Sequence, residues 1–155
     1  MDAVIRCWPA LPQALIVPEI YGHFAEHLGR CIYEGVWVGN NHAVPNQNGV
    51  RLDVLAALKQ LRVPVVRWPG GCFADDYHWR NGIGPVASRP RTVNLWWRQI
   101  EPNTFGTDEF LRFCEDLGAA PYICANVGAG SPREARDWVE YCNFPGDSTI
   151  AEMRA

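Results

Sequence analysis

No stretch of the 155-residue sequence approaches the roughly 20 apolar residues of a membrane-spanning helix. Basic residues are not in excess either, since 14 Lys and Arg against 17 Asp and Glu give a formal net charge of -3. The first residues lack the basic start and apolar centre of a secretory signal. We therefore expect no nucleic-acid partner, no membrane partner and a cytoplasmic location.

The six cysteines are far apart and form no Cys-x-x-Cys pair, which argues against a zinc ribbon and against a small disulfide scaffold. We expect them to be free thiols. Aromatic residues, by contrast, are numerous: seven Trp, six Phe and five Tyr. This number suits a packed core, and it equally suits a cleft in which sugar rings stack on side chains.

Predicted strands and helices alternate along the chain. Strands are predicted at residues 20–24, 64–66 and 121–127, and helices at 50–61, 107–118 and from 131 onward. Strand-helix alternation is typical of parallel βαβ units in an α/β fold. A complete (β/α)8 barrel needs roughly 250 residues, so a barrel chain of this length would hold about three βα units.

Each predicted helix carries apolar residues at three- and four-residue steps, which predicts one buried face per helix. These faces are Val54, Leu55, Leu58 and Leu61; Phe110, Leu111, Cys114 and Leu117; and Ala135, Trp138, Val139 and Cys142. Thr107 is the predicted N-cap of the second helix and Gly118 its end. The third helix is predicted to open with a capping box from Ser131 to Glu134.

The remaining segments connect or flank these elements. Residues 1–18 are predicted to form a strand or two at a domain edge, and residues 36–49 a loop. Residues 74–103 form a long excursion rich in aromatics and proline. Loops of this length in compact domains are functional or disordered, and this one is too aromatic for disorder.

Two local patterns are similar to motifs of other functions. His23, Glu26 and His27 match the His-x-x-Glu-His order of a zinc peptidase, but the surrounding sequence indicates a strand end, where structural histidines are the better interpretation. Residues 127–130 resemble a dinucleotide-binding turn, but the third glycine position is Arg133. We therefore expect no metal and no cofactor.

Polar residues follow the predicted strands at the same end. Glu26 follows the first strand, Arg67 ends the second, Cys72 lies in the turn after it, and Asn126 ends the third. If the strands are parallel neighbours, these side chains project toward one face, where a carboxylate, a guanidinium and an amide would meet a hydroxylated ligand. Taken singly, Glu26, Arg67 and Cys72 have plainer interpretations as a surface acid, an ion-pair partner and a small buried hydrophobic residue. Trp97, in the long excursion, is the candidate wall of the cleft.

Four ordered segments resemble the amino-terminal part of the α-L-arabinofuranosidases of glycoside hydrolase family 51. They are residues 20–33 (IYGHFAEHLGRCIY), 67–73 (RWPGGCF), 77–85 (YHWRNGIGP) and 101–107 (EPNTFGT). The likeness covers about residues 16 to 144. It implies that residues 19–155 are the amino-terminal part of a (β/α)8 catalytic domain, and that residues 1–18 belong to an edge segment of an accessory β-sandwich.

The resemblance also implies an activity. Members of the family are retaining enzymes of L-arabinose metabolism, typically cytoplasmic and often hexameric. They release terminal α-L-arabinofuranosyl groups from arabinoxylan or arabinan oligosaccharides. By the same resemblance, Glu26, Arg67 and Cys72 match positions that line the arabinose pocket, and Trp97 matches an aromatic near the leaving-group side.

Retaining hydrolysis needs two carboxyl groups about 5 Å apart. In the family both are glutamates at the ends of later strands, so we expect them beyond Ala155 and expect this chain to be inactive alone. Three hypotheses follow: part of an arabinofuranosidase that lacks its catalytic half, a non-catalytic arabinose-binding or assembly module, or another barrel glycosidase acting on a different pentose or on β-glucans.

Overall fold

A computed structural model describes residues 2–11, 14–41 and 43–154 of the chain. Its strands are β1 (His23–Phe24), β2 (Asn46–Gln47), β3 (Val50–Arg51), β4 (Val65–Trp68), β5 (Thr92–Asn94), β6 (Gln99–Glu101) and β7 (Ala120–Ile123). Its helices are α1 (Leu52–Gln60), α2 (Thr107–Leu117), α3 (Pro132–Asn143) and α4 (Thr149–Glu152). Short 3-10 turns cover Pro18–Tyr21, Cys72–Asp76, Trp79–Gly82 and Val86–Ser88.

The central sheet is parallel, with strand order β1-β4-β7. Its register puts Phe24 beside Arg67, and Arg67 beside Tyr122, in one row across the three strands. The predicted α/β class with parallel strands is therefore confirmed. All three strands end at the same edge, and the loops that follow them meet there.

The third predicted helix forms as expected at its start. Ser131 caps α3, because its Oγ accepts a hydrogen bond from the backbone N–H of Glu134 at 3.1 Å. Pro132 occupies the first turn, where its missing N–H costs nothing. The reciprocal half of the predicted capping box is wrong, since the Glu134 carboxylate pairs with His78 at 2.9 Å.

The prediction of Thr107 as the N-cap of α2 is also wrong. Gly106 precedes the helix, and its N–H donates to Glu109 Oε2 at 2.8 Å. Thr107 is fully buried, and its hydroxyl accepts a hydrogen bond from the indole of Trp138 at 3.1 Å. The predicted end is correct: Gly118 is left-handed, with φ at 77°.

The strand predicted at 20–24 is only two residues long. Pro18–Tyr21 forms a 3-10 turn first, with proline near its start. No strand occurs in the described residues 2–11 and 14–17, so the strand predicted before residue 18 is wrong. The loop predicted at 36–49 contains β2, whose partner β3 takes up Val50 and Arg51, so α1 begins two residues later than predicted.

The predicted helix faces are mostly correct. Leu55, Phe110 and Trp138 are each 3% exposed or less. Two members are not covered: Leu61 is 64% exposed and Val139 is 63% exposed. Periodicity identifies which side of a helix is apolar, but it does not say how far along the helix the neighbouring elements reach.

The long excursion contains a hairpin that the sequence did not reveal. Strands β5 and β6 pair antiparallel, with Val93 opposite Ile100. These two residues point outward, 61% and 52% exposed, whereas Asn94 and Glu101 are buried. The apolar side chains of this hairpin therefore face out and the polar ones face in, the reverse of the usual pattern.

The core centres on Trp68, which is fully buried at the end of β4. Its ring stacks on Phe110 at 4.9 Å and meets Trp138 edge-on at 6.1 Å. Such aromatic pairs add about 0.5–1.5 kcal/mol beyond the area they bury. The peptide bond from Trp68 to Pro69 is cis. The core thus anchors β4 to α2 and α3 directly beneath the edge where the strands end.

All six cysteines lie within the described residues, and all are free. Cys7, Cys31 and Cys72 are exposed, whereas Cys114 is buried. No helix in the described part of the chain is long and apolar enough to cross a membrane.

Candidate functional site

Glu26 lies at the strand-end edge of the sheet. Beyond β1 the chain continues alongside β4, because the N–H of Ala25 donates to the carbonyl of Arg67 at 2.8 Å. The Glu26 Oε1 atom accepts two backbone hydrogen bonds, from Gly71 at 2.8 Å and from Phe73 at 3.2 Å. No described residue donates to Oε2. The carboxylate is therefore held by one oxygen and can accept a ligand donor with the other.

Arg67, the third residue of β4, is half-buried at the same edge. Its Nε donates to Cys124 Sγ at 2.8 Å, and its guanidinium carbon lies 4.5 Å above the Phe24 ring centroid. Among the described residues no carboxylate forms an ion pair with it. The plain interpretation of Arg67 as an ion-pair partner is therefore not supported. Its two terminal nitrogens can donate to a neutral oxygen-rich ligand.

Cys72 is exposed and begins the 3-10 turn that follows β4. It lies between Gly71 and Phe73, the two residues whose amides hold Glu26. The structure thus brings Glu26, Arg67 and Cys72 to one edge of the sheet, as the strand-end argument predicted.

Asn126 lies three residues beyond the end of β7, so the prediction that it ends this strand is wrong, and its side chain already makes three hydrogen bonds within the described part of the chain. Its Nδ2 donates to the carbonyl of Tyr77 at 3.2 Å, and its Oδ1 accepts from Gly128 at 3.1 Å and Gly130 at 2.8 Å. It is 7% exposed. In this arrangement the amide joins the loop after β4 to the loop after β7, and a ligand role for it stays a prediction.

Trp97 lies in the turn of the β5–β6 hairpin and is half-buried. Its backbone N–H donates to Asn94 Oδ1 at 3.2 Å, and its buried indole N–H has no hydrogen-bond partner among the described residues. It forms no hydrogen bond with Glu26, Arg67 or Cys72. Its place as a wall of the cleft stays a prediction.

Beneath the edge is a buried polar cluster that the sequence did not reveal. His27 Nδ1 lies 2.9 Å from Glu101 Oε2, and Trp68 Nε1 donates to His27 Nε2 at 2.9 Å. Glu101 Oε1 also accepts from the hydroxyl of Tyr33 and from the backbone N–H of Asn103. Burial, reinforced by the Glu101 carboxylate, raises the pKa of Tyr33, so this hydroxyl keeps its proton.

These contacts give the histidine segment a structural role. Both ring nitrogens of His27 are used by protein partners, whereas His23 is exposed on β1. The described residues contain no group of three or more His, Cys, Asp or Glu that could hold a metal ion. In the glycine-rich turn, a Cβ on Gly128 would lie 2.7 Å from Asp75, so that turn is closed by protein contacts. The residue that the sequence analysis did not recognise as part of this cluster was Glu101, which points inward from a hairpin whose apolar residues point outward.

The family model described as "Alpha-L-arabinofuranosidase 1 domain" matches residues 57–155. The chain is 58% identical, over 143 residues, to a protein from Bacteroides ovatus named "Intracellular exo-alpha-L-arabinofuranosidase", and covers 28% of that protein. It is 51% identical over 150 residues to a probable alpha-L-arabinofuranosidase C from Aspergillus niger, of which it covers 30%. These stretches are 92% and 97% of this chain.

Solved structures give the same result. A GH51 arabinofuranosidase from Xanthomonas axonopodis pv. citri superimposes with a TM-score of 0.91 at 50% identity, over 94% of this chain and 30% of that one. An arabinose complex of the Thermotoga maritima alpha-L-arabinofuranosidase has a TM-score of 0.82 at 50% identity, over 86% of this chain and 28% of that one. The chain therefore spans less than a third of the length of the relatives it matches.

Proposed function

Because this chain belongs to the α-L-arabinofuranosidases of glycoside hydrolase family 51, we propose that it supplies part of the arabinose pocket of such an enzyme. The supporting observation is that two side chains at one sheet edge keep hydrogen-bonding capacity among the described residues: Oε2 of Glu26 has no donor, and the terminal nitrogens of Arg67 have no acceptor. A furanoside presents hydroxyl groups that both donate and accept hydrogen bonds, so this pair can bind it from two sides.

The proposal includes the architecture. Residues 19–155 would be the amino-terminal part of a (β/α)8 catalytic domain, with β1, β4 and β7 as its first three barrel strands. Residues 1–18 would belong to an accessory β-sandwich. In support, the three strands are parallel, neighbouring and joined through helices, as in such a barrel.

Each polar group would have a defined part in binding. Glu26 Oε2 would accept from one sugar hydroxyl, and the Arg67 terminal nitrogens would donate to another. The Cys72 thiol would contact the ring from the turn between them. Hydrogen bonds to charged groups contribute about 1.5–3 kcal/mol each. Trp97 and Asn126 are proposed at the pocket periphery, the former on the leaving-group side.

Bond cleavage would require groups that these residues do not supply. A retaining mechanism uses an acid/base and a nucleophile, two carboxyl groups about 5 Å apart. Glu26 has one oxygen fixed by two backbone amides, which suits a group that orients substrate. We propose that both catalytic glutamates lie beyond residue 155 and that this chain alone is inactive.

For the complete enzyme we propose terminal α-L-arabinofuranosyl groups of arabinoxylan or arabinan oligosaccharides as substrate. We also propose a homo-oligomer without nucleic-acid or membrane partners. A cytoplasmic location is supported by the Bacteroides ovatus relative, whose name describes it as intracellular.

The test uses this chain alone and a hybrid enzyme, in which the chain replaces the matching 143 residues of the Bacteroides ovatus relative. We expect the hybrid, but not the chain alone, to hydrolyse 4-nitrophenyl α-L-arabinofuranoside. In the hybrid, Glu26→Gln should lower kcat/KM about 10- to 100-fold. Glu19→Gln, which removes an exposed acid from the first 3-10 turn, is the matched control and should leave kcat/KM unchanged.

Two results would contradict the proposal. A hybrid that cleaves a different glycoside and not the arabinofuranoside would favour another barrel glycosidase. A chain that melts cooperatively as a monomer and is stabilised by L-arabinose, but supports no hydrolysis in the hybrid, would favour a non-catalytic sugar-binding module.

A further inference from the structure

We propose that the buried pair His27–Glu101 is a positioning device for Glu26. Through this pair, the position of the β5–β6 hairpin determines where the Glu26 carboxylate lies. The inference rests on the proposed function of Glu26 as a sugar ligand. It assigns a role to two buried residues that would not touch the sugar themselves.

The hydrogen-bond partners define the state of the His27 ring. An indole N–H can only donate, so Trp68 makes Nε2 of His27 an acceptor. The ring proton is then on Nδ1, which donates to Glu101 Oε2. This tautomer is assigned from the partners. A neutral ring with two different, occupied nitrogens cannot rotate without losing both hydrogen bonds.

Glu101 is fixed in turn by neutral donors. Its side chain is 3% exposed, and no Lys or Arg among the described residues pairs with it. Its three hydrogen-bond partners are the ring of His27, the hydroxyl of Tyr33 and the backbone N–H of Asn103. A buried carboxylate depends strongly on each donor, because the loss of one leaves a desolvated oxygen with fewer hydrogen bonds.

His27 contacts the surroundings of Glu26 from two sides, through its backbone and through its ring. On one side, two hydrogen bonds hold the backbone of His27, the residue directly after Glu26. The His27 N–H donates to the carbonyl of Pro69 at 3.1 Å, and the His27 carbonyl accepts from Nδ2 of Asn94 at 2.9 Å. On the other side, the ring stacks on Phe73 with centroids 4.5 Å apart. The N–H of Phe73 is one of the two amides that hold the Glu26 carboxylate.

The inverted hairpin is explained by the same arrangement. Its two buried polar side chains, Asn94 and Glu101, both bond to His27, one at the backbone and one at the ring. Its polar inner face therefore fits the segment that carries Glu26. On this proposal a shift of the hairpin would move the carboxylate, although no described residue of the hairpin is hydrogen-bonded to it.

The experiment compares two substitutions that each remove a tyrosine hydroxyl from a carboxylate. Tyr33→Phe removes a donor to Glu101, and Tyr141→Phe removes a donor to Asp108, between α3 and α2. One measurement is made on the 155-residue chain: the amide proton shifts of Gly71 and Phe73, which report their hydrogen bonds to Glu26. The other is kcat/KM of the hybrid enzyme toward 4-nitrophenyl α-L-arabinofuranoside.

We expect Tyr33→Phe to move both amide signals upfield and to lower kcat/KM about tenfold. Tyr141→Phe should lower the melting temperature comparably, but change neither the two amide shifts nor kcat/KM. Glu101→Gln, which keeps the side-chain shape, should reproduce the effects of Tyr33→Phe. Equal effects of Tyr33→Phe and Tyr141→Phe on kcat/KM, or unchanged amide shifts in Tyr33→Phe, would overturn the proposal.

The two proposals fail in different ways. If the hybrid does not hydrolyse the arabinofuranoside, the proposed function fails, but the amide shifts of Gly71 and Phe73 still decide whether the pair positions Glu26. Upfield shifts in Tyr33→Phe, with none in Tyr141→Phe, would then support the positioning role independently of sugar binding.

Discussion

The backbone of Gly70 packs directly against the side chain of Glu26. A Cβ added at Gly70 would lie 2.6 Å from Cγ and 2.8 Å from Oε1 of Glu26, closer than real Cβ contacts allow. At the neighbouring Gly71, a Cβ would lie 3.8 Å from Oε1, an ordinary contact. The carboxylate therefore depends on the absence of a side chain at one position and tolerates one at the next.

The first prediction uses this difference. Gly70→Ala should displace the Glu26 carboxylate, lower kcat/KM of the hybrid enzyme about 10- to 100-fold, and cost about 1–3 kcal/mol in the free energy of unfolding. Gly71→Ala should have a much smaller effect on both. Steady-state kinetics and urea unfolding measure the two quantities. Equal losses of kcat/KM in the two variants would contradict the steric argument.

The second prediction concerns the cysteines. Burial raises the pKa of the Cys114 thiol to about 12 and that of Cys142 to about 11, so both should react slowly with iodoacetamide at pH 8. The exposed Cys7, Cys31 and Cys72 should react quickly. If Cys72 lies in the sugar pocket, L-arabinose should slow the alkylation of Cys72 in the hybrid enzyme and leave that of Cys7 and Cys31 unchanged.

Peptide mass spectrometry after timed labelling measures each site. Cys7 and Cys31 are internal controls, because both are exposed and neither belongs to the proposed pocket. Protection of all three exposed cysteines, or of none, would count against Cys72 as a pocket residue.

The third prediction concerns acid stability. The Arg80 guanidinium, hydrogen-bonded to Asp137 at 2.7 Å, lowers the pKa of that carboxyl below its usual range. Because the folded-state pKa is depressed, the associated stability is present above the unfolded pKa of about 3.9 and is lost as pH falls through the folded value. Asp137→Asn should therefore flatten the fall of unfolding free energy below pH 4.

Urea unfolding between about pH 2 and pH 6 tests this sign. Arg80→Met removes the first partner of the same carboxylate and should flatten the acid limb in the same direction. An acid limb that stays as steep in Asp137→Asn as in the parent chain would refute the assignment.

The fourth prediction separates two roles for Asn126. Asn126→Ala would leave two backbone N–H groups of the loop after β7 without their acceptor, at a cost of about 1–3 kcal/mol in unfolding free energy. Asn143→Ala removes an exposed amide from α3 and should stay within about 0.5 kcal/mol. Weaker arabinose binding by Asn126→Ala, with unchanged stability, would instead make Asn126 a ligand contact.

Local signals in the sequence were reliable at two helix ends, although the predicted Thr107 cap and the Glu134 half of the capping box were wrong. The Ser131 cap and the Gly118 end depend on a few neighbouring residues, so they could be predicted. The position of Glu26 and Arg67 at one edge of the sheet could also be predicted, because parallel strands end at a common edge. The resemblance to a known family added what these patterns do not contain, namely the sugar.

Other features depended on distant partners and could not be predicted. Glu101 is 74 residues from His27, so no local pattern in the sequence links the two residues. The β5–β6 hairpin was missed because each of its strands has only three residues, too few for an alternation of apolar and polar residues to identify a strand. Leu61 and Val139 were placed inside because the helical period does not reveal which turns of a helix lack a neighbour.

The residues that donate hydrogen bonds to the Glu26 carboxylate are close together in the sequence as well as in space. Its two amide donors and the strand that carries Arg67 all come from residues 65–73, and the carboxylate itself follows β1. A single crossover between homologous genes, placed after α2, would transfer the Glu26 carboxylate together with both of its amide donors. Recombination within the family can therefore exchange the carboxyl-terminal part of the enzyme without dismantling the part that holds Glu26.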